Sequence, residues 1–330
     1  MRYVQLGNTG LQVSTLFLGC GNFGGIGSAP AFFGKGESKS QSHAIMDAAV
    51  DMGITVFDTA DAYGGGASET YIGSWLKTQP TRLRDQLLIS SKVFNPVGDG
   101  PNQRGLSRAH IMRQIDASLR RLGVGYLDLY LIHEPDPATP LEETLCALND
   151  LVRAGKVRYI GASNMPAWLT AKSLWISDKH NWARFEWIQN SYSLLDRTDE
   201  RELFPLLADQ KLGYTPFSPL AGGWLTGKYS AGSPYPTGSR MTLRPEPYNR
   251  LLIDATYRKL SALSAIALVH GVDMATVALA WLLAQPLVTA PILGPRKPGH
   301  LTPAIAALAL KLDQDEIASI GALFPAVAPA

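Results

Sequence analysis

The chain has 330 residues, 46% of them hydrophobic, with 30 Lys and Arg against 28 Asp and Glu for a net charge of +2. That size supports one barrel-sized core, and the near balance of charge excludes a partner held by a strong basic or acidic field. Two cysteines, Cys20 and Cys146, are too few for a disulfide framework, no charged leader precedes the first strand-like residues, and the longest apolar stretches, such as 275–284, fall short of the roughly 20 residues needed to cross a bilayer. The composition predicts a soluble, cytoplasmic protein.

In chain order, residues 3–14 with a turn at Asn8-Thr9-Gly10 read as a short N-terminal hairpin. Strand-like runs near 15–21, 54–60, 86–93, 126–133, 157–163, 185–191, 212–218 and 288–294 then alternate with helical patterns. Helix 107–122 carries Ile111, Ile115, Leu119 and Leu122 on one face, and helix 141–154 carries Leu145, Leu148 and Leu151. Further helical stretches fall at 253–270, 274–285 and 313–324. Eight alternating units predict an α/β chain folded as a (β/α)8 TIM barrel with extra C-terminal helices. No linker-like composition divides it, so residues 1–330 read as a single domain. Gly- and Pro-rich stretches at 22–36, 95–105 and 222–248 each follow a strand, where active-site loops belong.

Four polar residues lie at or just beyond the C-terminal ends of successive runs: Asp58, Tyr63, Lys92 and His133. In a barrel these ends meet at one mouth, where a carboxylate, a phenol, an ammonium and an imidazole would converge. A nearby Lys ammonium favours phenolate and is expected to lower the Tyr63 pKa, making its proton transferable. Asp58 would keep buried Lys92 charged, and His133 would orient a carbonyl or share the proton. Asp61 and Cys20 read as structural.

Rival motifs fail on context. Gly19-Cys-Gly-Asn-Phe-Gly matches a dinucleotide fingerprint, but a loop follows it and the next helical pattern waits until about residue 40. No Tyr is followed by Lys at the fourth position, and Pro137 breaks the metal-binding spacing after His133-Glu134, so no metal is expected. A Schiff base on Lys92 in a non-redox barrel enzyme is a remaining chemical alternative.

The chain resembles the aldo-keto reductase superfamily over nearly its whole length. The matching stretches include Leu18-Gly-Cys-Gly-Asn-Phe-Gly, Phe57-Asp-Thr-Ala-Asp-Ala-Tyr-Gly, Ile89-Ser-Ser-Lys-Val, Tyr126-Leu-Asp-Leu-Tyr-Leu-Ile-His, Gly155-Lys-Val-Arg-Tyr-Ile-Gly-Ala-Ser-Asn and Phe217-Ser-Pro-Leu-Ala-Gly-Gly-Trp-Leu-Thr-Gly-Lys-Tyr. The resemblance implies carbonyl reduction, reversible to alcohol oxidation, with Tyr63 as acid/base, Lys92 and Asp58 tuning it, and His133 placing the carbonyl. A cofactor-binding regulatory subunit resembling potassium-channel β subunits is the alternative.

For the cofactor, the resemblance implies a nicotinamide held by Ser163, Asn164 and Gln189, with Phe217 stacked on its ring. Ser218, Leu220, Gly222, Thr226, Gly227 and Lys228 match the loop over the pyrophosphate, and Gly21, Asn22 and Asp58 add contacts. Gly294, Arg296 and Lys297 would lie at a 2′-phosphate with His300 nearby, which favours NADPH. Pro303 and Ala304 stand where relatives carry adenine-binding Glu and Asn, so adenine contacts depart from the pattern. Phe23, Phe32, Phe33, Phe94, Trp224 and Tyr248 lie in or beside the long loops and predict an apolar pocket for a small-molecule carbonyl. The chain ends soon after its last helix, which predicts an open mouth that admits bulky ketones, sugars or xenobiotics.

Overall fold

A computed structural model describes residues 1–326. Strands β1 (Tyr3–Gln5) and β2 (Gln12–Ser14) form an antiparallel hairpin in which Tyr3 faces Ser14. Eight parallel strands follow: β3 (Phe17–Gly19), β4 (Val56–Asp58), β5 (Leu88–Val93), β6 (Leu127–Ile132), β7 (Val157–Ser163), β8 (Phe185–Gln189), β9 (Gly213–Tyr214) and β10 (Ile292–Leu293). They pair in sequence from β3 to β9, with β10 returning beside β3. Between β9 and β10, the amides of Thr289 and Ile292 donate to the carbonyls of Tyr214 and Pro216, both at 2.8 Å, and close the (β/α)8 barrel.

Several ladders are shorter than the apolar runs that announced them. Only Gly213 and Tyr214 of run 212–218 lie in regular pairing, yet Thr215 and Phe217 still donate to Ile188 and Asn190. The chain bends toward its loop there while its amides stay satisfied.

Alternation along the strands sorts two cores. Phe17, Val56, Leu129, Leu131, Trp187 and Ile292 pack together with Leu6 and Val13, so the hairpin seals one end of the interior. Leu18, Phe57, Ile89, Tyr130, Ile132, Ile160 and Ile188 instead meet the surrounding helices. Period two then carries Asp58, Lys92 and Gln189 onto the interior side, one step beyond the Val56 and Trp187 layer.

The helical patterns appear where periodicity put them. Arg108–Leu122 starts on Ser107, whose hydroxyl accepts from the His110 amide, and stops at Gly123, whose φ of 68° suits glycine. Leu141–Arg153 follows Pro140. Asp254–Val269, Met274–Leu283 and Gln314–Leu323 are the late helices, the last carrying a capping box between Asp313 and Glu316. Among the described residues no single helix is long and apolar enough to cross a membrane.

Candidate active site

Asp58 ends β4, and Lys92 lies near the end of the neighbouring β5, two residues beyond Ser90, the register partner of Asp58. The Lys92 ammonium donates to Asp58 Oδ2 at 2.5 Å and to the Thr59 carbonyl at 2.8 Å, and it lies 3.5 Å from the Tyr63 oxygen. Asp58 Oδ1 accepts from Ser90 Oγ and Gln189 Nε2, both at 3.0 Å. Tyr63 reaches this group because the chain reverses immediately after it: Gly64, Gly65 and Gly66 have φ of 59°, 67° and 91°, a run that residues with a Cβ resist. Directly beyond β6, His133 places Nε2 3.3 Å from the Tyr63 hydroxyl, while its Nδ1 meets Asn95 Nδ2 at 3.0 Å. All four expected residues therefore converge. Asn95 joins them unannounced, since one Asn in a Gly/Pro-rich loop carries no sequence pattern that distinguishes it.

Burial lowers the Lys92 pKa, but Asp58 and Tyr63 more than offset it, and the amine stays an ammonium. Burial first, then Lys92, holds His133 well below the ordinary histidine value, so its ring is neutral. With Asn95 donating to Nδ1, the hydrogen of that neutral ring resides on Nε2 and points at the Tyr63 oxygen. Lys92 aims at the same oxygen. The phenol's own hydrogen is then free for another acceptor at the mouth. The expected downward shift of Tyr63 is corrected by its burial, which raises the pKa more than Lys92 lowers it. The group is a protonated phenol across the neutral range.

Around the tetrad, Ser163 Oγ donates to the Gln189 carbonyl at 2.7 Å, and Asn164 Nδ2 donates to the His133 carbonyl at 2.9 Å. Their side chains and that of Gln189 thus share one ledge at the ends of β7 and β8. Phe217 is half-buried against the interior core. Beyond it, Ser218 and Ala221 hold φ of 55° and 46°, unusual for residues with side chains, in a tight turn with Gly222, Gly223 and Gly227. Leu220 anchors this turn to the core, and Thr226 Oγ1 ties back to the Gly223 carbonyl.

Lys228, Arg240, Arg296 and His300 gather beside the turn. Burial lowers the pKa of Lys228, Arg240 and His300, and nearby cations add to the lowering in each case. Arg240 donates to Asn22 Oδ1 at 3.0 Å, and Asn22 also borders Gly294. Gly21 stands against the Tyr63 ring. Lys297 is exposed. A cluster of repelling cations beside a glycine-rich turn fits the phosphates of a dinucleotide. Nothing local in the sequence separates Arg240 from Arg244, the other arginine of 222–248.

The aromatic residues divide. Phe94 lines a cavity of about 410 Å³ with Pro96, Arg104 and Asp136, and Phe33 lies against Gly65 beside the Tyr63 turn. Phe32 is flanked by Lys35 and Arg244. Phe23 and Trp224 are fully buried, the latter against Tyr229 and Tyr257, which corrects their expected place on a pocket wall: their apolar area goes to anchoring loops. Tyr248 covers Gly222 of the glycine-rich turn. Ala304 is wholly buried on helix Thr302–Ala309 and offers adenine no polar group.

Comparison with known proteins agrees with this geometry. A family model described as "Aldo/keto reductase family" matches residues 16–324. The chain is 38% identical to "Uncharacterized oxidoreductase YrpG" of Bacillus subtilis (strain 168), over 98% of this chain and 96% of that protein. It is 35% identical to "Versiconal hemiacetal acetate reductase" of Aspergillus parasiticus, covering 96% and 95%. Against "Probable voltage-gated potassium channel subunit beta" of Oryza sativa subsp. japonica the identity is 36%, covering 93% and 91%.

Proposed function

Because this chain belongs to the aldo/keto reductase family and is an oxidoreductase of that type, we propose that it reduces a small-molecule aldehyde or ketone with NADPH, using Tyr63 as the proton donor. The observation that carries the reading is the pair of donors, Lys92 Nζ and His133 Nε2, directed at one phenol oxygen. A substrate carbonyl oxygen at the mouth would accept the Tyr63 hydrogen. Lys92 and His133 then stabilise the phenolate left behind, and Asp58 holds the ammonium in place. A bound nicotinamide supplies the hydride that goes to the carbonyl carbon. Ser163, Asn164 and Gln189 would hold its carboxamide, Phe217 would cover its ring, and Lys228, Arg240, Arg296 and Lys297 would meet the phosphates. The same groups run the reverse oxidation, with the phenolate taking the alcohol proton.

The test is Tyr63→Phe, which should keep nucleotide binding and lose at least ~100-fold in kcat with a panel of carbonyl substrates. Near-normal turnover would remove Tyr63 from the role. The channel-subunit relatives support a second reading, a nucleotide-binding regulatory subunit with vestigial turnover. Sustained NADPH oxidation by the wild type with any carbonyl in the panel decides against it.

A further inference from the structure

Glu37 is an acidic residue built into the cationic cluster. It is 3% exposed, and one carboxylate oxygen accepts from Arg296 Nε at 2.5 Å. The other oxygen is buried with no hydrogen-bond partner. The backbone fixes the position: the Glu37 amide donates to the Asn22 carbonyl at 2.8 Å, and its carbonyl accepts from the Gly24 amide at 2.9 Å. Gly36 passes so close to the same loop that a Cβ there would stand 2.0 Å from the Asn22 carbonyl oxygen. Neither neighbour lets the carboxylate swing away with the chain. On the other side, Arg296 Nη1 donates to the Gly238 carbonyl at 2.7 Å, so the guanidinium already has two partners.

We propose that Glu37 is a specificity-determining residue for the nucleotide, holding Arg296 in an ion pair that a 2′-phosphate must break or share. The inference rests on the proposed use of NADPH and concerns how strongly that cofactor is preferred. A phosphate approaching Arg296 must compete with a carboxylate that already holds the guanidinium, in a low-dielectric pocket where that ion pair is strong. Burial already raises the Glu37 pKa against the pull of Arg296, so separating the pair leaves an uncompensated buried charge. NADH lacks the 2′-phosphate and makes no such demand. Glu37 therefore narrows the gap between the two cofactors, and the chain accepts both.

Four nucleotides test this by calorimetric titration: NADPH, NADH, 2′,5′-ADP and 5′-AMP, the last two differing only in the 2′-phosphate. Wild type should favour 2′,5′-ADP over 5′-AMP by less than about tenfold, whereas an unopposed guanidinium contact would give about tenfold or more. Glu37→Gln keeps an oxygen for Arg296 and removes the charge; it should tighten NADPH and 2′,5′-ADP about tenfold while moving NADH and 5′-AMP less than about twofold. In an Arg296→Ala background the same substitution should change nothing, since its effect runs through that guanidinium. Equal shifts for all four nucleotides, weaker 2′,5′-ADP binding, or a gain that survives Arg296→Ala would overturn the proposal. Thermal unfolding confirms that each variant is folded. If Glu37→Gln does not fold, Glu37→Ala carries the same expectation, and a wild-type preference for 2′,5′-ADP above about tenfold overturns it without any variant. A wild type that binds neither dinucleotide would instead overturn the proposed function.

Discussion

At the scale of single residues, His133 illustrates how a neighbour decides chemistry. Its ring is neutral because burial and Lys92 both oppose a second proton, and Asn95 selects which nitrogen keeps the one it has. Asn95→Leu would remove that selection, let the hydrogen move to Nδ1, and leave a lone pair facing the Tyr63 oxygen. We expect kcat to fall on the order of tenfold to a hundredfold with nucleotide affinity unchanged, measured by steady-state kinetics beside binding titrations. Asp61 poses a different problem. Both of its carboxylate oxygens are buried without a hydrogen-bond partner, and burial, then the charge of Glu69, raises its pKa well above the carboxylate range. The folded chain thus holds a proton that the unfolded chain releases. The stability this group contributes is full below about pH 4 and is lost as pH rises toward its folded pKa. Thermal unfolding of Asp61→Asn against wild type should show the variant gaining relative stability from pH 4 to pH 7; a constant difference would mean that Asp61 is ionised in the fold.

Between elements, one buried carboxylate ties two helices to a strand. Glu69, at the start of helix Ala67–Leu76, is wholly buried, bonds Arg121 Nε of helix Arg108–Leu122 at 2.6 Å, and accepts from Ser91 Oγ of β5 at 2.6 Å. That helix start follows the glycine turn that presents Tyr63, so the tie steadies the turn from behind. Arg121→Met would leave the Glu69 charge buried and unpaired, a loss of about 3–5 kcal/mol. Denaturant unfolding should show this loss, and adding Glu69→Gln should recover most of it. If Arg121→Met costs less than about 1 kcal/mol, water reaches Glu69 and the pair counts as a surface one.

Across the whole molecule, the loops that surround the proposed nucleotide positions are joined mainly by arginines. Arg240 reaches Asn22, Arg244 reaches the Ile26 carbonyl, and Arg296 reaches Glu37 and Gly238, so three segments distant in sequence meet at one face. Little apolar area secures the tip at 230–238, which is mostly exposed. A dinucleotide bridging these cations should add about 2.7 kcal/mol at a hundred times its Kd, seen as a higher unfolding midpoint. Limited proteolysis should show cleavage near 230–238 slowing on nucleotide addition. Unchanged cleavage at saturation would place the ligand elsewhere.

The amino-acid sequence by itself determined the order of elements and the four polar residues that converge at the barrel mouth. Hydrophobic period sets strand or helix locally, and alternation along Val56-Phe57-Asp58 sends Asp58 inward whatever the loops do. Helices 107–122 and 141–154 were equally legible, because their apolar faces repeat within one segment. Only the tertiary structure decided the charge states, the role of Asn95 and the fate of the aromatic residues. Tyr63 is protonated because burial outweighs Lys92, and burial is a property of everything packed around a group. Trp224 turned inward because Tyr229 and Tyr257 were there to meet it. Arg240 and Glu37 acquired meaning from contacts with Asn22 and Arg296, more than 200 residues away in the chain. No local pattern encodes such a pairing, since the energy of a salt bridge depends on a distance that only the closed barrel defines.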